Sequence, residues 1–197
     1  MADLLFLEQS HTYLLEGEQL PCVSDLCRFL HREIYKDAPA WQLEAAAERG
    51  TAVHEATEAL DKQGTASVPE EHLPYLQAYK AFLLDHRPSW DLIEQPMYHP
   101  EHRYAGTIDR CGASAGEAAL VDIKTTYTVY KPLCRAQLNL YRLMLIAKGY
   151  PVHRMYTLHL KRDATYKLIP FETDEPLALA LITIHNALRK KRRKRNV

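Results

Sequence analysis

Two segments decide the fold, Tyr104-Ala-Gly-Thr-Ile-Asp109 and, after a stretch rich in Gly and Ala, Leu120-Val-Asp122-Ile-Lys124. If the stretch between them is a hairpin loop centred between residues 115 and 116, Asp109 falls directly opposite Asp122. Cross-strand partners project from the same face of a sheet, and Lys124 joins them because side chains alternate with period two. The two segments therefore predict a hairpin that presents two carboxylates and a lysine together.

The opposite face of this hairpin is apolar, so we expect Ile108, Val121 and Ile123 to point together into the core. Two carboxylates facing each other repel unless a positive charge lies between them. A lysine offsets part of that repulsion, and a divalent cation offsets more of it. Oxygen ligands favour Mg²⁺ or Mn²⁺ over zinc. The alternative is an ordinary solvent-facing Asp-x-Lys pair, since three residues are a weak signal.

Two helical patterns flank the hairpin in sequence. Gly50, His54 and Glu58 follow one another at intervals of four, which places them on one helix face. The glycine indicates either a helix break or a close approach, and the histidine and glutamate could complete a metal shell. Gln137 and Tyr141 form a second i, i+4 pair, suited to a phosphate and a sugar or base. An exposed His–Glu pair and a tyrosine capped by a core glutamine are the alternatives.

Elsewhere the chain alternates helix and strand signals, as an α/β domain does. Glu16 and Gly17 predict the turn of an N-terminal hairpin. Helices are predicted from Ser24 to about residue 34, over Trp41–Asp61, from His72 or Pro74 to Asp85, over 132–148 and after Asp174, and strands over 92–98, 104–111, 118–126, 152–160 and 165–171.

The 197 residues suit one domain, predicted to span 1–188. A basic tail, 189–197, is expected to be disordered because a run of like charges repels itself, and such a run can bind the phosphates of a polyanion or be merely solvated. Of the 25 basic residues seven lie in this tail, so 18 remain against 25 acidic ones and the body is acidic. The seven are Arg189, Lys190, Lys191, Arg192, Arg193, Lys194 and Arg195.

The four cysteines form no Cys-x-x-Cys pair, and we see neither a secretory signal nor an apolar run of roughly 20 residues. These features predict a soluble protein with reduced thiols and no membrane partner, located in the cytoplasm.

In order, the chain carries Gly50-x-x-x-His54-x-x-x-Glu58, Gly106-x-x-Asp109, Asp122-x-Lys124 and Gln137-x-x-x-Tyr141. This set resembles the PD-(D/E)XK nuclease superfamily, and within it the RecB-type exonuclease branch with its stand-alone, phage-like members. The match covers residues from about 50 to 145. Four short motifs in order are far more specific than any one of them.

The resemblance implies an α/β fold with a restriction-endonuclease-like core, a central mixed β-sheet flanked by helices. It implies Mg²⁺ or Mn²⁺ held by His54, Asp109, Asp122 and the backbone carbonyl of Ile123, with Lys124 as the catalytic lysine. Glu58 would ligate through water or orient its neighbours. Gln137 and Tyr141 would support the site and the DNA, and Thr125 and Thr126 would contact phosphate.

The expected activity is metal-dependent hydrolysis of DNA phosphodiester bonds, as an exonuclease in recombination, repair or phage DNA processing. A structure-selective or nicking endonuclease is the second interpretation, and a non-catalytic DNA-binding subunit is the third. Processive relatives form rings around DNA, so a homo-oligomer is compatible with the resemblance, as is a recombination or single-strand-annealing partner. Only Cys134 lies beyond the third motif, so no iron–sulfur cluster is expected.

Overall fold

The computed structural model describes residues 3–114 and 116–195. Six helices and eight strands span these residues. The helices are α1 (Val23–Leu26), α2 (Arg28–Tyr35), α3 (Ala40–Gln63), α4 (Leu73–His86), α5 (Lys131–Ala147) and α6 (Glu175–Arg195). The strands are β1 (Leu4–Leu7), β2 (Thr12–Leu15), β3 (Glu18–Leu20), β4 (Ser89–Tyr98), β5 (Ala105–Ser114), β6 (Glu117–Lys124), β7 (Arg154–Leu160) and β8 (Tyr166–Phe171).

The main sheet has five strands in the order β4-β5-β6-β7-β8. Only β6 and β7 run parallel, and the connection between them contains α5, as a parallel crossover requires. The other three neighbouring pairs are antiparallel. The predicted α/β fold with a central mixed sheet flanked by helices is therefore confirmed.

The register of the β5–β6 hairpin is the one the sequence predicts. Its Cα partners run from Ser114↔Glu117 to Arg110↔Val121, so the strands are joined between Ser114 and Glu117. The next pair in this register is Asp109 and Asp122. The main-chain ladder stops just before that pair, and a carboxylate oxygen of Asp109 accepts a hydrogen bond from the backbone N–H of Ile123 at 2.7 Å instead.

The sheet has an apolar cluster on each side. Val121 and Ile123 pack in one cluster with residues of α3 and α4, as expected for residues two apart on a strand, which point to the same face of the sheet. Ile108 is buried too, but it packs in the other cluster, with Leu120 of β6 and residues of α5 and α6. The expectation that all three share one face is therefore wrong for Ile108. Strand β4, which pairs with β5, carries Glu94 at φ 45°, a value that a regular strand does not adopt. The pleat, which sends successive side chains to opposite faces of the sheet, is therefore irregular at this point.

Three further elements differ from the expectations in detail. The helix expected from Ser24 is divided at Cys27 into α1 and α2. Helix α3 runs without interruption through Gly50, and a methyl group there would meet no atom within 4 Å, so neither a break nor a close approach of another part of the described chain explains this glycine. The N-terminal hairpin turns at Glu16 and Gly17 as predicted, and β1 adds a third strand to it.

Helix α6 continues through Arg189–Arg195, where the sequence predicts a disordered tail. The apolar residues that precede the basic run begin a helix that packs on α5, and arginine and lysine have high helix propensity, so the backbone continues in the same conformation. Residues 196 and 197 lie outside the described residues. Within the described ranges, no helix is both long enough and apolar enough to cross a membrane.

Candidate active site

Three potential metal ligands meet where β4, β5 and α3 approach the end of β6. They are His54 on α3, Glu94 on β4 and Asp109 on β5, and one donor atom from each lies within 4.8 Å of the others. Their side chains are mostly shielded, with exposed fractions of 26%, 16% and 11%. The sequence predicts two members of this group, and Glu94 is the member that it does not predict.

Both ring nitrogens of His54 face oxygen atoms. Nδ1 lies 2.8 Å from Oε1 of Glu94, and Nε2 lies 3.3 Å from the carbonyl oxygen of Ile123 and 3.8 Å from Oδ2 of Asp109. Burial alone would lower the pKa of His54, but the carboxylates of Asp109 and Glu94 outweigh it and raise the pKa to about 9. A ring with this pKa is protonated at neutral pH, so both nitrogens can donate to the oxygen atoms that they face.

The second acidic position is deeper. Asp122 is 2% exposed, and its Oδ1 accepts a hydrogen bond from Nζ of Lys124 at 2.8 Å. Burial raises the pKa of Asp122, and the charge of Asp109 raises it further against the opposing effect of the lysine. Burial would lower the pKa of Lys124, but Asp122 and Asp109 raise it above its usual value, so this lysine is charged at neutral pH.

Burial also raises the pKa of Asp109, with Glu94 adding to the effect and His54 opposing it. Glu94, Asp109 and Asp122 are thus three carboxylates crowded together, and His54, Arg110 and Lys124 are the cationic groups that pair with them. The other carboxylate oxygen of Asp122, Oδ2, is buried and has no hydrogen-bond partner among the described residues. Since an unpaired buried carboxylate oxygen is costly, this atom marks a position that a cation or a bound water would satisfy.

The remaining predicted residues of the fourth motif lie on α5. Gln137 is buried and its Oε1 has no partner within the described part of the chain. Tyr141 is half-buried, and burial together with the charges of Asp109 and Asp122 raises its pKa well above the usual value. The glycine of the second motif makes room for this ring, because a methyl group on Gly106 would lie 2.8 Å from Cε1 of Tyr141.

Other predicted site residues are not brought into this group. Glu58 lies on α3, as predicted, but its carboxylate is bound to Nζ of Lys62 at 2.6 Å. Thr125 is buried directly after β6, and the Thr126 hydroxyl donates to the carbonyl of Thr128. The side chains of α6 are described as far as Arg189, and those of the basic residues 190–195 lie outside the described part.

Glu94 escapes sequence reasoning because no motif spacing marks it. It lies 2.9 Å, through Oε1, from the guanidinium of the fully buried Arg110. Its backbone has φ 45°, a region that residues other than glycine, asparagine and aspartate rarely adopt. The sequence marks it only as a glutamate after two apolar residues, Leu92-Ile-Glu94, in a strand that also carries Asp91 and Gln95.

The possible donors are carboxylates, a main-chain carbonyl and one histidine nitrogen. This set suits a hard divalent cation that accepts one imidazole among its oxygen ligands. The unpaired oxygen of Asp122 and the crowded carboxylates fit such an ion. The site is therefore a candidate metal centre with a charged lysine beside it, built on the central sheet of an α/β fold.

No family model matches the chain, and no curated protein matches it in sequence. Among solved structures it is similar to LHK-Exo, an alkaline exonuclease from Laribacter hongkongensis, at 13% identity and a TM-score of 0.43, over 88% of this chain and 90% of that one. For LHK-Exo in complex with dAMP, the values are 14% identity and a TM-score of 0.47, over 87% of each chain. A likeness this distant transfers no residue roles.

Proposed function

We propose that this chain is a metal-dependent DNA nuclease that hydrolyses phosphodiester bonds as an exonuclease. The observation that carries the proposal is the group of His54, Glu94 and Asp109, with the pair of Asp122 and Lys124 beside it. His54 of the first motif, Asp109 of the second and the pair Asp122 and Lys124 of the third support this proposal, whereas Glu58 of the first motif lies outside the group.

Nε2 of His54, the carboxylates of Asp109 and Asp122, and the carbonyl oxygen of Ile123 would hold the ion, with Mg²⁺ or Mn²⁺ preferred by the oxygen donors. When bound, such an ion polarises a phosphate oxygen and lowers the pKa of a bound water. Binding requires the proton on Nε2 to leave, while the hydrogen bond from Nδ1 to Glu94 can remain.

The lysine supplies the second part of the chemistry. Lys124 is charged, and its ammonium has two N–H groups left after donating to Asp122. These can donate to a phosphate oxygen on which charge develops, or hold the attacking water. Because Asp122 fixes Nζ in position, the ammonium needs little rearrangement when substrate binds.

Tyr141 and Gln137 would line the substrate side. The neutral phenol of Tyr141 can donate a hydrogen bond to a sugar or phosphate oxygen, and Gln137 retains an unused amide oxygen. We also propose that Thr125 and Thr126 contact phosphate and that the basic end of α6 adds non-specific DNA affinity. A ring-forming homo-oligomer and a recombination or annealing partner stay predictions from the resemblance.

The test uses end-labelled linear duplex and single-stranded DNA, and circular forms of both, with Mg²⁺ or with EDTA. We expect metal-dependent loss of label from linear DNA and intact circles, since an exonuclease needs an end. Lys124→Ala should lower the single-turnover rate by about 10²–10³-fold, the size found when one charge-stabilising donor is removed. Lys62→Ala is the matched control, because its partner Glu58 lies outside the candidate metal group.

Each alternative has its own outcome. Cleavage of circles would favour the endonuclease over the exonuclease. DNA binding without metal-dependent cleavage by the pure protein would favour a binding subunit. Full activity of Lys124→Ala would contradict the role given to the lysine.

A further inference from the structure

Arg110 is the largest fully buried side chain of the described residues, and it directly follows the candidate ligand Asp109 on β5. A buried charge costs several kcal/mol in desolvation and persists only with full pairing. Because a well-packed apolar residue often replaces such a group without loss of stability, stability alone does not explain an arginine here.

The guanidinium is bound on every side. Nε donates to Oδ2 of Asp61 at 2.6 Å and to the hydroxyl of Tyr79 at 3.2 Å. One terminal nitrogen donates to Oγ1 of Thr57 at 3.0 Å. The other donates to Oε1 of Glu94 at 2.9 Å and to the carbonyl oxygen of the preceding residue, Asp109, at 2.6 Å. Arg110 thereby connects α3 and α4 to the strand that carries Glu94.

Two of these partners lie on the same helix as His54. Thr57 and Asp61 are three and seven residues further along α3, on the same face, and the Thr57 hydroxyl also donates to the carbonyl of His54 at 3.0 Å. Arg110 therefore fixes the rotation of α3 that aims the imidazole at the sheet. The same guanidinium fixes Glu94, which bonds the imidazole from the other side.

The hydrogen bond to Glu94 selects which nitrogen of His54 is free. A carboxylate accepts only from a protonated nitrogen, so Nδ1 keeps its proton and Nε2 keeps the lone pair once the ring is neutral. Nε2 is the nitrogen that faces Asp109 and the Ile123 carbonyl. Glu94 is held at φ 45°, a strained value that persists only where surrounding contacts enforce it.

We propose that Arg110 is a positioning residue: acting through Glu94, it holds the His54 ring with Nε2 directed at the metal site. The inference rests on the proposed function for the identity of the site as a metal centre. Its consequence is that a residue with no access to metal or DNA sets the metal affinity.

The experiment measures Mn²⁺ affinity by calorimetry in the absence of DNA, for wild type, Arg110→Lys, Glu94→Gln and Tyr79→Phe. Lysine keeps the buried charge but cannot reach Asp61, Thr57 and Glu94 together. We expect Arg110→Lys and Glu94→Gln to weaken Mn²⁺ binding by about 10–100-fold, as removal of outer-shell partners does. Tyr79→Phe removes hydrogen bonds from the same buried network and leaves the contact to Glu94, so it should lower the melting temperature but not the affinity.

A second readout does not depend on metal. In ¹⁵N-histidine spectra of the metal-free protein, at a pH where the ring is neutral, His54 should carry its proton on Nδ1. In Glu94→Ala the population should shift away from the Nδ1–H form. Unchanged Mn²⁺ affinity in folded Arg110→Lys, an equal loss of affinity in Tyr79→Phe, or an unchanged tautomer in Glu94→Ala would each overturn the proposal.

The proposed function and this inference fail separately. If Arg110→Lys weakens Mn²⁺ binding but the wild type does not cleave DNA, the positioning role stands and the nuclease assignment falls. If the wild type cleaves DNA with Mg²⁺ while the affinity of Arg110→Lys equals that of the wild type, the nuclease assignment stands and the positioning role falls.

Discussion

Replacing Gly106 with alanine tests how closely α5 must approach β5 at the candidate site. An added methyl group would lie 2.8 Å from Cε1 of Tyr141, 3.1 Å from Cγ2 of Val23 and 3.4 Å from Cε of Met144. The first distance is well inside normal carbon–carbon contact, and the methyl group of Val23 is also closer to the added carbon than a relaxed contact allows.

The expected cost is that of overpacking a core, about 1–3 kcal/mol in the free energy of unfolding. For a chain of this size each kcal/mol lowers the melting temperature by about 2–4 °C, so the melting temperature should fall by about 2–12 °C. Displacement of the Tyr141 ring should also lower DNA cleavage by more than the loss of folded protein explains.

The matched control is Gly50→Ala, in the middle of α3, where a methyl group meets nothing within 4 Å. There alanine should stabilise the protein by about 0.5–1 kcal/mol, because glycine loses more backbone freedom in a helix. Both variants are measured by urea and thermal unfolding and by the nuclease assay. In a Tyr141→Leu background, which removes Cε1, Gly106→Ala should cost measurably less.

A neutral or stabilising effect of Gly106→Ala would refute the inferred approach of Tyr141. Equal costs with and without the tyrosine ring would show that another contact is responsible. Destabilisation by Gly50→Ala would contradict the open surroundings assigned to that position.

Three further predictions concern the metal site and the DNA. Since the pKa of His54 is raised to about 9, its Nε2 proton must leave before an ion binds there, and Mn²⁺ affinity by calorimetry should rise by up to about tenfold per pH unit from pH 6.5 to 8.5. A flat profile would contradict this. Glu58→Gln should leave cleavage unchanged and lower the free energy of unfolding by only about 0.3–0.5 kcal/mol, because Glu58 forms an ordinary helix-surface ion pair with Lys62. A large loss of activity would instead indicate that Glu58 acts at the metal. Deletion of residues 189–197 should raise KM more than it lowers kcat and flatten the dependence of binding on salt, and unchanged DNA binding would assign the segment to solubility or a protein partner instead.

The sequence by itself determined the local features of this protein. Periods of 2 and 3.6 residues are properties of the strand and the helix, so the pairs Asp122 and Lys124, and Gln137 and Tyr141, could be placed on their elements from spacing alone. The short connection between Ser114 and Glu117 then determined the register that sets Asp109 beside Asp122. Each of these inferences needs only residues that are near in the chain or linked by one tight turn.

The tertiary structure alone decided what joins this hairpin from further away. Glu94 lies on another strand, and its approach to His54 depends on the pairing of β4 with β5 and on how α3 packs against the sheet. Arg110 reads from the sequence as one more charged strand residue, yet it is fully buried because carboxylates of α3 and β4 surround it. Such contacts join segments that are far apart in the chain. Because the packing of the whole domain decides which segments meet, these contacts leave no periodic pattern in the sequence.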